Sequence, residues 1–150
     1  MNSKYRIVIA DDESIIRLDV KELLEGAGFQ IVGEASDGLQ ALALIEELQP
    51  DLALLDIKMP GLDGIEVAQR IGEGTPVVLL TAFSQRGLIE DAIRAGVVAY
   101  LVKPFKGDEV VGKITWLLSG EGQVDPLSTI DDKIETRGLL DQAKQLLAER

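Results

Sequence analysis

The sequence contains no cysteine and no histidine. The first absence removes disulfides, thiolate metal ligands and cysteine nucleophiles. The second removes the Ser-His-Asp arrangement and any imidazole base or ligand. Chemistry in this chain therefore falls to carboxylates, lysines and hydroxyls. No apolar run approaches the roughly 18 residues of a membrane span, and no basic stretch followed by an apolar one opens the chain. Met1-Asn-Ser-Lys4 leads directly into a strand, so a cytoplasmic protein with no membrane partner is expected. A basic excess is also missing. The net charge is −11, and neither residues 1–120 nor residues 121–150 carry more bases than acids. Such a surface offers no footprint for a nucleic-acid backbone.

What the chain does have is alternation. Its 150 residues suffice for one domain with its own core and a short appendage. Tyr5–Ala10, Phe29–Ala35, Leu52–Asp56, Thr75–Thr81 and Val97–Val102 are short, apolar and rich in β-branched residues, and read as strands. Between and after them, residues 15–24, 39–48, 63–71, 88–95 and 108–118 carry apolar residues at helical spacing, punctuated by glycine and proline. Five strand–helix units with short connections predict an α/β fold: a doubly wound, five-stranded parallel sheet with right-handed crossovers. This domain is expected over residues 1–119.

The stretch from Asp51 to Gly64 is the most informative. Leu52 to Leu55 is an apolar run suited to burial on both faces of a sheet, and it ends on Asp56 before turn residues Met59-Pro60-Gly61 and Asp63-Gly64. Taken alone, Asp56 reads equally well as the cap of the next helix. Asp11-Asp12-Glu13 reads as a solvated turn, Thr81 as a buried strand hydroxyl, and Lys103 as a lysine snorkelling to the surface. Together they say more. Asp11 and Asp12 follow the first strand, Asp56 ends the third, Thr81 the fourth and Lys103 the fifth. In a parallel sheet these positions share one edge, where open α/β sheets bind ligands. Three carboxylates supply hard oxygen ligands for a divalent cation, Mg2+ foremost. A lysine and a hydroxyl opposite would hold the oxygens of an anion. That is an arrangement for phosphoryl transfer with Asp56 as nucleophile.

Asp11-Asp12, Asp56 with the Met59–Gly64 run, Thr81-Ala82 and Lys103-Pro104 resemble, in order and spacing, the receiver domain of bacterial two-component response regulators. The resemblance covers residues 4–119 and implies a flavodoxin-like receiver fold. It implies that Asp56 accepts phosphate from a sensor histidine kinase. Asp12, Asp56 and the Lys58 main-chain carbonyl would bind Mg2+ directly, with Asp11 helping through water. Thr81, the Ala82 amide and Lys103 would take phosphate oxygens. Tyr100 matches the aromatic switch residue and is expected to rotate from exposed to buried on phosphorylation. Such a protein is a signalling switch rather than a turnover enzyme, catalysing only its own phosphorylation and dephosphorylation.

Other classes fit less well. An aspartate-nucleophile phosphohydrolase of the haloacid-dehalogenase type needs a second acid two residues after the nucleophile, where Lys58 stands. A flavodoxin-like cofactor carrier needs a phosphate-cradling loop after the first strand, where three acids stand instead. A pseudo-receiver would not need the full polar set.

Residues 120–129 read as a linker by their Gly, Pro and Ser content, and residues 130–150 as a C-terminal helix begun by Thr129. Its apolar stripe, Ile130 to Leu147, is interrupted by Arg137 and Asp141, and so short a helix is expected to dock on the receiver or on another chain. The run Glu135–Lys144 resembles the start of the ANTAR domain, an RNA-binding module of antiterminator response regulators. The resemblance implies transcription antitermination as output, with RNA binding only through a C-terminal domain that is not complete in this chain. The alternative is a stand-alone receiver whose helix mediates protein contact, with homodimerisation on phosphorylation.

Overall fold

The computed structural model describes residues 4–82 and 87–119. Five strands alternate with five helices: β1 (Arg6–Ala10), α1 (Ser14–Gly26), β2 (Gln30–Ala35), α2 (Gly38–Leu48), β3 (Leu52–Asp56), α3 (Gly64–Ile71), β4 (Val77–Ala82), α4 (Ile89–Arg94), β5 (Ala99–Lys103) and α5 (Gly107–Ser119). All pairings are parallel and the strand order is β2-β1-β3-β4-β5. The expected doubly wound, flavodoxin-like sheet is the one observed. The linker at 120–129 and the helix at 130–150 lie outside the described residues.

The order of the strands reverses between β1 and β3, which opens a crevice at their carboxyl ends. Both strands are buried on each face, which is why they read as unbroken apolar runs. Side chains alternate across the sheet. Val8, Ala10, Leu55 and Leu79 pack under α2, α3 and α4 with Ile45, Val67 and Ala92. Ile7, Ile9, Leu54 and Leu80 pack under α1 and α5 with Val20, Leu24, Val110 and Ile114.

Two local details bear on the crevice. First, α3 is capped by Asp63, whose carboxylate accepts the Glu66 amide at 2.8 Å while Glu66 accepts the Asp63 amide at 2.9 Å. Asp56 is therefore not needed as a cap, and that reading falls. Second, β5 begins at Ala99 rather than at the expected Val97. The Val97 amide closes the end of α4 on Ala92 O, and the first bond to β4 is made by the Val98 amide on Val77 O, ahead of the ladder that starts at Ala99.

Gly64 locks the loop after Asp56. Its amide donates to Ile57 O at 2.8 Å. A Cβ there would press into the Asp56 main-chain oxygen, a rigid neighbour. We expect Gly64→Ala to destabilise the domain by about 1–3 kcal/mol, as overpacking against backbone does. Urea unfolding checks this. A neutral substitution would show that the loop moves freely and does not fix Asp56.

Candidate functional site

The three expected acids and Lys103 converge. Asp11 stands just past β1 and is fully buried, Asp56 ends β3 and is 5 % exposed, and Asp12 faces solvent between them. One carboxylate oxygen from each of the three lies within 4.8 Å of the others. Lys103, at the end of β5, reaches all the way across. Its Nζ lies 3.2 Å from Asp11 Oδ2 and 3.3 Å from Asp56 Oδ1. Thr81, two strands from β1 and almost wholly buried, donates its hydroxyl to Ala82 O at 3.1 Å. The ladder sets Ala82 beside Lys103 and Thr81 beside Val102. Lys58 follows Asp56 by two residues with its side chain exposed, so only its main chain is suited to face the crevice.

Asp11 is held on every side. Its amide donates to Ala35 O at 3.1 Å, its Oδ1 accepts the Glu13 amide at 2.8 Å, and its carbonyl accepts Arg17 Nη1 at 2.6 Å. Arg17 and Lys21 in turn meet Glu34 of β2, at 3.5 and 2.9 Å. Glu13 gives Lys103 a third acidic partner at 3.3 Å. For that reason its side chain does not cap α1, although Glu13 holds the cap position. In the sequence Glu13 reads only as one of three repelling acids, and Arg17 carries no signal of its own. Arg17 is six residues from Asp11, and nothing local marks a contact at that separation.

Among the described residues, the site is short of positive charge. Burial, and then the negative Asp11, push the Asp56 carboxyl up to about 6, with Asp12 adding to the rise and Lys103 opposing it. Burial by itself would lower the Lys103 ammonium, but the charges of Asp56 and Asp11 and hydrogen bonds to Asp11 and Glu13 outweigh it and hold Lys103 above its ordinary value. The two shifts agree. One lysine does not compensate four neighbouring carboxylates, and the group that pays is the buried Asp56. A small dication beside Asp11, Asp12 and Asp56 would complete the balance, and hard oxygen donors suit Mg2+.

Tyr100 departs from expectation. It was expected at an exposed position from which to rotate, yet the structure places it in the core at 7 % exposure. Leu79, Ile89, Ala92 and Val102 belong to the same apolar layer. The Tyr100 hydroxyl is buried with no hydrogen-bond partner among the described residues, and burial pushes its pKa up to about 12.

This geometry agrees with the comparisons. The sequence profile of the response regulator receiver domain matches residues 7–115. The chain belongs to that family. The receiver is 45 % identical over 148 residues to the transcriptional regulatory protein PdtaR of Mycobacterium tuberculosis, covering 95 % of this chain and 72 % of PdtaR. It is 36 % identical over 118 residues to the chemotaxis protein CheY of Bacillus subtilis, covering 77 % and 98 % of the two chains. Among solved structures, the receiver domain of the putative response regulator NarL from M. tuberculosis superposes with a TM-score of 0.75 at 34 % identity, over 80 % of this chain and all of that one. A two-component response regulator is thus what the chain is, and receivers of that kind take phosphoryl groups from sensor histidine kinases. No helix among the described residues is long and apolar enough to cross a membrane.

Proposed function

We propose that this receiver is a phosphorylation switch in which Asp56 accepts a phosphoryl group from a sensor histidine kinase. The observation that carries the reading is Lys103 bridging Asp11 and Asp56 at 3.2 and 3.3 Å beside the acidic cluster. An oxygen of Asp56 attacks phosphorus while the bond to the donor's imidazole nitrogen breaks, and the donor leaves with the electron pair. Asp11, Asp12, Asp56 and the Lys58 carbonyl would hold Mg2+, which supplies charge neutralisation for phosphoryl transfer. Lys103, already poised over Asp56, neutralises a second oxygen of the incoming group. Thr81 and the Ala82 amide line the strand end next to it, where a third oxygen is received. Tyr100 is the switch residue that reads the position of Thr81. The protein turns over no external substrate beyond its own acyl phosphate.

The route to the kinase leads past α1. Ile15 is 81 % exposed and Leu18 is also exposed, one turn beyond Asp12, so an apolar partner surface is available at the mouth. The likeness to a transcriptional regulator that extends beyond this chain supports an output in transcription. The Glu135–Lys144 run favours antitermination through an RNA-binding domain.

The test is intact-mass measurement after incubation with acetyl phosphate. One phosphoryl group is expected with Mg2+ and none in EDTA, because three clustered carboxylates repel an anion by several kcal/mol even at an effective dielectric of about 20. Full labelling in EDTA would overturn the reading.

A further inference from the structure

Lys113 is a charged side chain in an apolar slot. It lies on the stripe of α5 formed by Val110, Ile114 and Leu117, at helical spacing, and is only 3 % exposed. An ammonium is costly to bury unless polar partners compensate it. One partner is the Tyr100 main-chain carbonyl, which accepts Lys113 Nζ at 3.0 Å. The same ammonium stands over the Tyr100 ring, 5.9 Å from its centroid.

The placement crosses the sheet. Among the described residues β5 is an outer strand, with no neighbouring strand to supply donors along its free side. Val110 and Ile114 of α5 pack in the layer with α1, whereas Tyr100 packs in the opposite layer with Ile89 and Ala92 of α4. Lys113 joins the helix of one layer to the ring of the other at the open edge. It does so three residues before Lys103, on the strand that carries that lysine into the site.

We propose that Lys113 is the positioning residue that holds Tyr100 inward and ties that position to α5, so that the inward ring and a loaded Asp56 site favour one another. This rests on the reading of Asp56 as acceptor and Tyr100 as switch. Coupling of two sites is reciprocal. The affinity for a phosphoryl mimic at Asp56 therefore falls by as much as the loss of Lys113 depopulates the inward ring.

The experiment is a double-mutant cycle on the full chain with Lys113→Met and Tyr100→Leu, titrating beryllofluoride by calorimetry at saturating Mg2+. Lys113→Met should bind beryllofluoride roughly 3- to 30-fold more weakly, the span from an exposed to a desolvated cation–π contact. In the Tyr100→Leu background the same substitution should change affinity by no more than about twofold, the scatter of independent sites. A second readout watches the ring itself. The sequence has two tyrosines, so 3-fluorotyrosine in a Tyr5→Phe chain reports Tyr100 alone. Its 19F resonance should become sensitive to D2O when Lys113 is replaced. If Lys113→Met does not fold, Lys113→Gln takes its place in the cycle, dropping the charge but keeping a donor. Equal effects in both backgrounds, or unchanged affinity in a folded variant, would overturn the inference and leave Asp56 as acceptor intact. Failure of the wild type to bind beryllofluoride would overturn both.

Discussion

Asp56→Asn is expected to take up no phosphoryl group from acetyl phosphate and, in metal-free buffer at pH 7, to unfold later than the wild type. The loss of uptake follows from removal of the nucleophile. Asp11 is turned onto the Glu13 amide and Lys103, and Asp12 is exposed, so neither is placed to replace it. The gain in stability follows from the electrostatics. Burial and Asp11 hold the Asp56 carboxyl at about 6 against an ordinary 3.8. A raised carboxyl means that the folded state binds more protons than the unfolded chain between these values. Stability is therefore greatest below the lower one and is lost as pH rises through the upper one. The difference corresponds to about 3 kcal/mol as an upper bound at neutral pH. Asn keeps the shape without the charge, so a gain of about 1–3 kcal/mol is expected at pH 7, vanishing near pH 4. Saturating Mg2+ should also remove it, because the metal stabilises the wild type by binding the folded form. Chemical denaturation at the two pH values, with and without Mg2+, checks the sign. A variant less stable than wild type at pH 7 would mean that Asp56 is a structural anchor of β3.

Lys103→Ala is expected to reverse that balance. The lysine is the partner of fully buried Asp11 and nearly buried Asp56, and its side chain is 15 % exposed. Removing one member of a buried pair strands the other. The cost here is about 2–4 kcal/mol at pH 7.5 without metal, reduced because Asp56 can protonate and because the crevice is open to water. The loss should shrink below pH about 6, where Asp56 takes a proton in place of its partner. Mg2+ should bind at least as tightly as to wild type, since a competing cation is gone. Phosphoryl uptake should nonetheless fall about 100-fold, the scale of losing one fixed charge on developing oxyanions. The paired measurement separates the roles. If uptake survives while stability falls equally at pH 5 and 7.5, Lys103 packs the strand end and takes no part in receiving phosphate.

Much of this was legible without coordinates. The strands and helices follow from periodicity and punctuation, both local properties of the chain. The place of Asp11, Asp12, Asp56, Thr81 and Lys103 on one edge follows too, because a parallel sheet puts every strand end on the same side. The sequence by itself therefore determined the fold class and the gathering of these side chains along one sheet edge. Which of the two adjacent acids turns inward was decided by how the chain leaves β1: Asp11 is buried against Lys103 while Asp12 stays in solvent. Only the assembled sheet brought Glu13 to Lys103 and Arg17 to the Asp11 carbonyl, since long side chains choose partners across space. The burial of Tyr100 was likewise tertiary, since its layer is completed by Ile89 and Ala92 of α4 and Leu79 of β4. Lys113 stands between these cases. Its place on the apolar stripe of α5 was visible as helical spacing, but the partner that makes a charge tolerable there comes from a strand thirteen residues earlier, and only packing brings the two within hydrogen-bonding reach.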